Sequence, residues 1–204
     1  MAVITISRQI GAGAWILGKR LSKRLGYRYV NENMIIEVAR KGKISSGRVR
    51  VFEKAETTKL LKFLDKIVIT DFIDRHISEK YGLLDEKRYV EMLRAIFQEL
   101  HEKGNVVIIG RGGQYILKDY KNTYHILLVA DLKDRIRLMM DEYRLTENEA
   151  RRSIMEREKM RDQVLNLFSD PELQNDPISY DLVINTSRVP LEKAEKLVVQ
   201  LISE

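Results

Sequence analysis

The stretch Val3-Ile4-Thr5-Ile6-Ser7-Arg8-Gln9-Ile10-Gly11-Ala12-Gly13, together with the leucine-rich segment after it, decides the fold. Its first four residues, 3–6, are β-branched and predict a short buried strand. The two glycines then permit a tight turn, and apolar residues recur at helical spacing from Ile16 to Leu25, just before Gly26. A strand, a glycine turn and a helix in this order are typical of the first unit of an α/β domain.

Four further apolar runs complete the predicted sheet, at 27–30, 105–109, 125–130 and 181–185. Helix-length segments separate most of these runs, and a crossover between parallel strands needs a connection of that size. With right-handed crossovers we expect one doubly wound, five-stranded parallel sheet in the order 2-3-1-4-5. Residues 31–103 indicate a helical insertion, and a helical lid is expected over 144–170, where Thr146-x-x-Glu149 forms a capping box. The whole chain, 1–204, is then one domain.

Composition and charge narrow the function classes. The 204 residues contain no cysteine, which excludes disulfides, iron–sulfur clusters, thiolate zinc sites and a cysteine nucleophile. The three histidines lack the spacing of metal ligands, so no protein metal site is predicted. No apolar run approaches the ~20 residues that cross a bilayer and the N-terminus has no targeting layout, so we expect a cytoplasmic protein without membrane contact.

The net charge of +6, from 36 Lys and Arg against 30 Asp and Glu, favours polyanionic partners. A solvated surface of mixed charge is the alternative explanation of that surplus. Nucleic acid is the less favoured partner, because the basic residues have neither a recognition motif nor interleaved aromatic side chains. Nucleotides are therefore the expected partners.

Three turns follow strand ends, where ligands bind in open α/β sheets. They are Ser7–Ala14 after the first strand, Gly110–Gly113 after the third and Asn185–Arg188 after the last. Glycines let backbone amides approach an anion, and the helix after the first turn adds its positive end. Because strands one and three are neighbours in the predicted order, we expect 11–14 and Arg111 to form one anion site. A structural tight turn and a surface ion pair are the alternatives.

The chain resembles the cytidylate kinase-like family, a branch of the P-loop nucleoside monophosphate kinases. The blocks that match are Ile4–Gln9 with Gly11-Ala12-Gly13, Leu25–Tyr29, Val107–Gly112, Arg161 and Tyr180–Arg188. They occur in the family's order and span nearly the whole chain. The resemblance implies a P-loop kinase fold and transfer of the ATP γ-phosphate to a cytidylate-like nucleoside monophosphate, with Mg²⁺.

The resemblance also implies roles for individual residues. Residues 31–103 would hold the acceptor, Arg111 would contact its phosphate, and Arg157 and Arg161 would act from the lid. The implied catalytic residues are Arg8, Arg111, Arg157 and Arg161. The implied donor-binding residues are Ser7, Arg8, Gln9, Gly11, Ala12, Gly13, Ala14, Asn185, Thr186 and Ser187.

The first turn departs from the Walker A pattern G-x-x-x-x-G-K-[ST], whose lysine reaches the β- and γ-phosphates and whose hydroxyl holds magnesium. Ala14 stands at the lysine, and the following Trp15-Ile16 brings no hydroxyl. Arg8 or Lys19 would have to compensate. Two functions stay open: a phosphotransferase with a degenerate turn, and a nucleotide-binding sensor or scaffold without phosphotransfer. The acceptor base, the metal ligand and the oligomeric state, a homodimer included, also stay open.

Overall fold

A five-stranded sheet forms the centre of the computed structural model, which describes residues 1–31, 33–35 and 86–203. Its strands are β1 (Val3–Arg8), β2 (Arg28–Val30), β3 (Val106–Ile109), β4 (Thr123–Val129) and β5 (Leu182–Asn185). Their order is β2-β3-β1-β4-β5, and every neighbouring pair is parallel. The predicted strand order and parallel pairing are confirmed.

The strand β1 continues two residues beyond the predicted end. Ser7 and Arg8 pair with Leu127 and Leu128 of β4, so the ladder holds these two polar residues in extended conformation. The apolar pattern of β1 stops at Ile6, and for that reason the sequence did not show this extension. The first turn therefore starts at Gln9, with the side chains of Ser7 and Arg8 placed on a rigid strand.

The helices among the described residues are α1 (Ala14–Leu25), α2 (Glu86–Lys103), α3 (Gly113–Ile116), α4 (Leu132–Tyr143), α5 (Glu147–Leu165) and α6 (Leu191–Ser203). The helix α5 begins at the predicted capping box: the Thr146 hydroxyl accepts from the Glu149 amide, and the Glu149 carboxylate accepts from the Thr146 amide. Two 3₁₀ turns, Pro171–Leu173 and Pro177–Ser179, lie between α5 and β5. Proline at the first position fixes φ for such a turn.

Apolar side chains cover both faces of the sheet, because successive strand residues point to opposite sides. On one face Ile4 and Ile6 pack with α1 and α6. On the other face Val3 and Ile108 pack with α2 and α3. A core on each face is the doubly wound arrangement, and it confirms the predicted fold class.

The predicted insertion over 31–103 lies only partly within the described residues. Its last section is α2, whose Phe97 is fully buried against the sheet, whereas residues 36–85 are outside the described part. The division of the chain into one domain with an insertion and a lid stays a prediction. In the part of the chain that the structure describes, no helix has the length and apolar character needed to cross a membrane.

Candidate functional site

The turn between β1 and α1 presents backbone amides at the carboxyl end of the sheet's central strand. Gly11 and Gly13 have φ of 87° and 84°, values that favour glycine. Gly13 is the N-cap of α1 and brings no capping side chain. The first-turn amides of a helix have no intrahelical acceptor, and they carry the positive end of its dipole. The amides that begin at Ala14 are therefore oriented to receive an anion.

One side-chain hydrogen bond and two packing contacts hold this turn in place. The amide of Ala130, after β4, donates to the side-chain oxygen of Gln9 over 2.9 Å. Leu191 of α6 lies against Gly13, where an added Cβ would be 3.0 Å from its Cδ1. The side chain of Ala14 is only 3% exposed, within the core that α1 shares with the sheet. Hydrogen bonding and packing thus hold the turn in this conformation.

The turn after β5 is bonded to the same place. Thr186 Oγ1 donates to the carbonyl of Ala12 over 3.1 Å. Asn185 Oδ1 accepts from the Ser187 amide over 3.0 Å, and Ser187 Oγ accepts from the amide of Asp131 over 2.8 Å. The predicted donor-binding residues of the first and last turns therefore lie side by side.

The turn after β3 has an unusual backbone. Gly110, Arg111 and Gly112 have φ of 74°, 60° and 73°, so three successive residues are left-handed. This conformation costs a residue with a Cβ about 1–2 kcal/mol, and such strain tends to collect at functional positions. Arg111 adopts this strained backbone although it is only 9% exposed. Phe168 packs against Gly112, where an added Cβ would lie 2.8 Å from Phe168 Cδ2. The chain holds this guanidinium in a fixed, largely buried position.

Arg8, at the end of β1, contacts the turn that follows β3. Its guanidinium lies against Gly110 so closely that an added Cβ there would overlap Arg8 Nη1. A side chain at 110 would displace the end of the Arg8 side chain, and the φ of 74° by itself favours glycine there. The structure thus places Arg8, Gly110 and Arg111 at the adjoining ends of β1 and β3, where the sequence predicted a common crevice.

A chain of buried polar side chains runs beneath this crevice. Ser7 Oγ donates to Gln114 Oε1 over 2.8 Å, and Gln114 Nε2 donates to the Tyr180 hydroxyl over 3.2 Å. That hydroxyl in turn lies 3.2 Å from the carbonyl of Gln174, to which it donates. Gln114 is 2% exposed, and the sequence analysis did not identify it. The signal that could have identified Gln114 was a polar residue directly after the glycine turn.

The two arginines expected to act from α5 differ in surroundings. Arg161 is 8% exposed, and its Nη2 donates to Asn175 Oδ1 over 2.7 Å. Burial raises the pKa of the nearby Tyr180, and the positive charge of Arg161 opposes that rise. Arg157 lies instead over the ring of Tyr143 in α4, 5.9 Å from its centroid. Arg161 therefore adjoins the polar chain that leads to Ser7, and the catalytic roles of Arg157 and Arg161 both stay predictions.

Lys19, one candidate to compensate for the missing Walker lysine, lies over Trp15 in this structure. Its Nζ lies 4.9 Å from the ring centroid of Trp15, one helical turn earlier on the surface of α1. Trp15 directly follows Ala14 and occupies the hydroxyl position of the pattern. Across the described ranges, no group of three or more His, Asp or Glu side chains could hold a metal ion.

Two charged residues that the sequence analysis did not single out also reach the first turn. Glu158 Oε1, from α5, accepts from the Ile10 amide over 2.9 Å. Arg135 Nη1, from α4, donates to the same oxygen over 2.5 Å and lies 3.3 Å from the Ile10 carbonyl. Both helices are thereby bonded to the turn.

The sequence matches the model of the Cytidylate kinase-like family over residues 3–188. Comparison with curated proteins gives no significant match. An uncharacterized protein from Eubacterium ventriosum is similar over 100% of this chain and 99% of its own, with 17% identity and a TM-score of 0.70. Two kinases share the fold. The shikimate kinase from Bacteroides thetaiotaomicron is 15% identical, with 100% of this chain and 99% of its own covered and a TM-score of 0.52. A gluconokinase from Sinorhizobium meliloti is 12% identical, with 99% of this chain and 91% of its own covered and a TM-score of 0.51. The family match covers most of the chain, and this protein belongs to the cytidylate kinase-like family.

Proposed function

We propose that this protein is an ATP-dependent phosphotransferase that acts on a nucleoside monophosphate. The observation that carries the proposal is the meeting of Arg8 with the strained turn of Arg111, beside the amides that begin α1. Phosphoryl transfer depends almost wholly on positioning and on stabilising charge, and two arginines at adjoining strand ends, one of them buried, are suited to supply both. Family membership adds that a kinase is the expected chemistry.

In this proposal the donor and the acceptor use different turns. The donor's phosphates lie on the amides that follow Gly13, and Arg8 faces them from the end of β1. The acceptor's phosphate binds Arg111, because a buried guanidinium in a fixed backbone offers its paired N–H donors in one geometry. Arg161 approaches from α5. A cytidylate-like acceptor follows from the family alone.

Magnesium enters the proposal only with the nucleotide. When bound, it neutralises phosphate charge and holds the oxygens in place. The Trp15 side chain has no oxygen to offer the ion, and the described residues contain no set of three acidic or histidine side chains for it. No step of the proposed reaction is therefore assigned to a metal ligand of this chain.

A coupled assay of ADP release, run with ATP and a panel of nucleoside monophosphates, tests this function. We expect release that depends on one of the monophosphates and falls at least 100-fold in kcat/KM for Arg111→Ala. Arg152→Ala is the matched control, because Arg152 is exposed and pairs with Glu156 on the outer side of α5. ADP release that needs no monophosphate, or that Arg111→Ala leaves intact, contradicts the proposal.

A nucleotide-binding protein without phosphotransfer is the second candidate. Burial of Ala14 and the presence of Trp15 beside it favour this candidate, because the turn then lacks both the charge and the hydroxyl of the Walker pattern. Calorimetry with ATP, read beside the turnover assay, separates the two. Tight binding without ADP release, unchanged by Ala14→Lys with Trp15→Thr, indicates the second candidate. A gain of turnover in that double variant indicates a kinase with a degenerate turn.

A further inference from the structure

The first turn is part of the hydrophobic core of α4 and α5. Ile10 is 8% exposed, and its side chain is buried in a small cluster with residues of those two helices, Ile136, Met139, Ala150 and Ile154. Gly11 lies directly on the backbone of α4, since an added Cβ would be 2.8 Å from the carbonyl oxygen of Arg135. The turn and the two helices therefore pack as one unit.

A carboxylate accepts a hydrogen bond from a backbone amide of this turn. Glu158 Oε1 accepts from the Ile10 N–H over 2.9 Å and from Arg135 Nη1 over 2.5 Å. The side chains of Arg135 and Glu158 are only 13% and 23% exposed, so water screens their charges weakly. A carboxylate paired with Arg135 is thus fixed at one edge of the turn, on the side away from the amides that begin at Ala14.

Two anions bound to amides of the same turn repel each other. A phosphate chain that binds the amides beginning at Ala14 meets the carboxylate of Glu158 on the same turn, at Ile10. Binding then requires the carboxylate either to leave its amide or to stay against that repulsion. The apparent affinity for the nucleotide falls in both cases. If the carboxylate must leave, only the fraction of molecules in which it has left can bind; if it stays, its repulsion weakens the bound state.

We propose that Glu158 is an internal competitor for the phosphates of the nucleotide and thereby sets the affinity of the turn. This inference rests on the proposed function, and it adds that leaving Ile10 releases Arg135 for the incoming phosphates. The competitor comes from α5, so occupation of the turn by phosphate also breaks a bond that joins this helix to the turn. Nucleotide binding and the position of α5 are coupled through this one carboxylate.

The variant Glu158→Gln tests the inference, because the amide oxygen still accepts from Ile10 while the negative charge is lost. Glu156→Gln is the matched control: it removes the same charge from the same helix, where Glu156 pairs with exposed Arg152 over 2.8 Å. Calorimetric titration with ATP and with inorganic tripolyphosphate, both without metal, measures the effect on each protein. We expect Glu158→Gln to bind both probes at least fivefold more tightly than the wild type, and Glu156→Gln to change affinity by less than twofold.

The outcomes separate this inference from the proposed function. If the wild type binds ATP and Glu158→Gln binds it equally or more weakly, the competitor is refuted while the phosphate site stands. If no protein of the set binds either probe, the phosphate site itself is refuted, and the competitor with it.

A measurement on the wild type covers the case in which Glu158→Gln does not fold. In an NMR titration with tripolyphosphate, the Ile10 amide and the Glu158 carboxylate carbon should shift together over one concentration range. Saturation of the other turn amides with an unmoved Glu158 carbon overturns the inference.

Discussion

Gly11→Ala is the substitution whose cost the structure defines most closely. The residue has φ of 87°, and its new Cβ would lie 2.8 Å from both the Cβ and the carbonyl oxygen of Arg135. The left-handed backbone costs alanine about 1–2 kcal/mol, and overpacking against a helix backbone adds about 1–3 kcal/mol. We therefore expect Gly11→Ala to lower the free energy of unfolding by about 2–5 kcal/mol.

Gly26→Ala is the matched control for this effect. Gly26 ends α1 with φ of 68°, and among the described residues no atom lies within 4 Å of an added Cβ. Only the backbone cost of about 1–2 kcal/mol applies there. Urea unfolding followed by circular dichroism measures both variants. Equal losses would refute the close packing of α4 on the first turn, because Gly11 has that contact and Gly26 does not.

Three other substitutions test the remaining parts of the site. Thr186→Val removes the hydroxyl that donates to the Ala12 carbonyl, and we expect a loss of about 1–2 kcal/mol in urea unfolding; no loss would show that this bond does not hold the turns together. Burial lowers the pKa of His125, so protonation favours the unfolded state and stability should fall as the pH drops below about 6.5. Urea unfolding at several pH values should show a shallower fall for His125→Gln, and an unchanged slope would assign the fall in stability to other groups. Arg111→Ala should weaken calorimetric binding of a nucleoside monophosphate by about 1.5–3 kcal/mol, and unchanged affinity would remove Arg111 from the acceptor site.

The strands were predictable because apolar, β-branched runs encode buried strands locally, and their order was predicted from helix-length connections with right-handed crossovers. The runs at 105–109 and 125–130 needed no knowledge of their partners. The extension of β1 to Arg8 was not predictable in this way. Ser7 and Arg8 look like turn residues, and only the ladder with β4 makes them part of a strand.

The contacts that shape the site depend on tertiary packing and were only partly predictable. Glycine and arginine beside strand ends indicated an anion site, and the structure brings Arg8 and the turn of Arg111 together. Nothing local distinguishes Arg157 from Arg161, one helical turn apart, although only the second is buried. Glu158, one residue after Arg157, likewise looks like part of a solvated helix face, because its partner at Ile10 is 148 residues away.

The most direct measurement of the proposed phosphate site is an NMR titration of the wild type with ATP, which follows each backbone amide separately. We expect the largest shifts at Gly11 and at Gly13–Ile16, with smaller ones at Gly110–Gly112, because these turns meet at the carboxyl ends of β1 and β3. Saturating ATP that leaves the amides of Gly13–Ile16 unmoved, or that shifts only residues distant from both turns, would contradict the site.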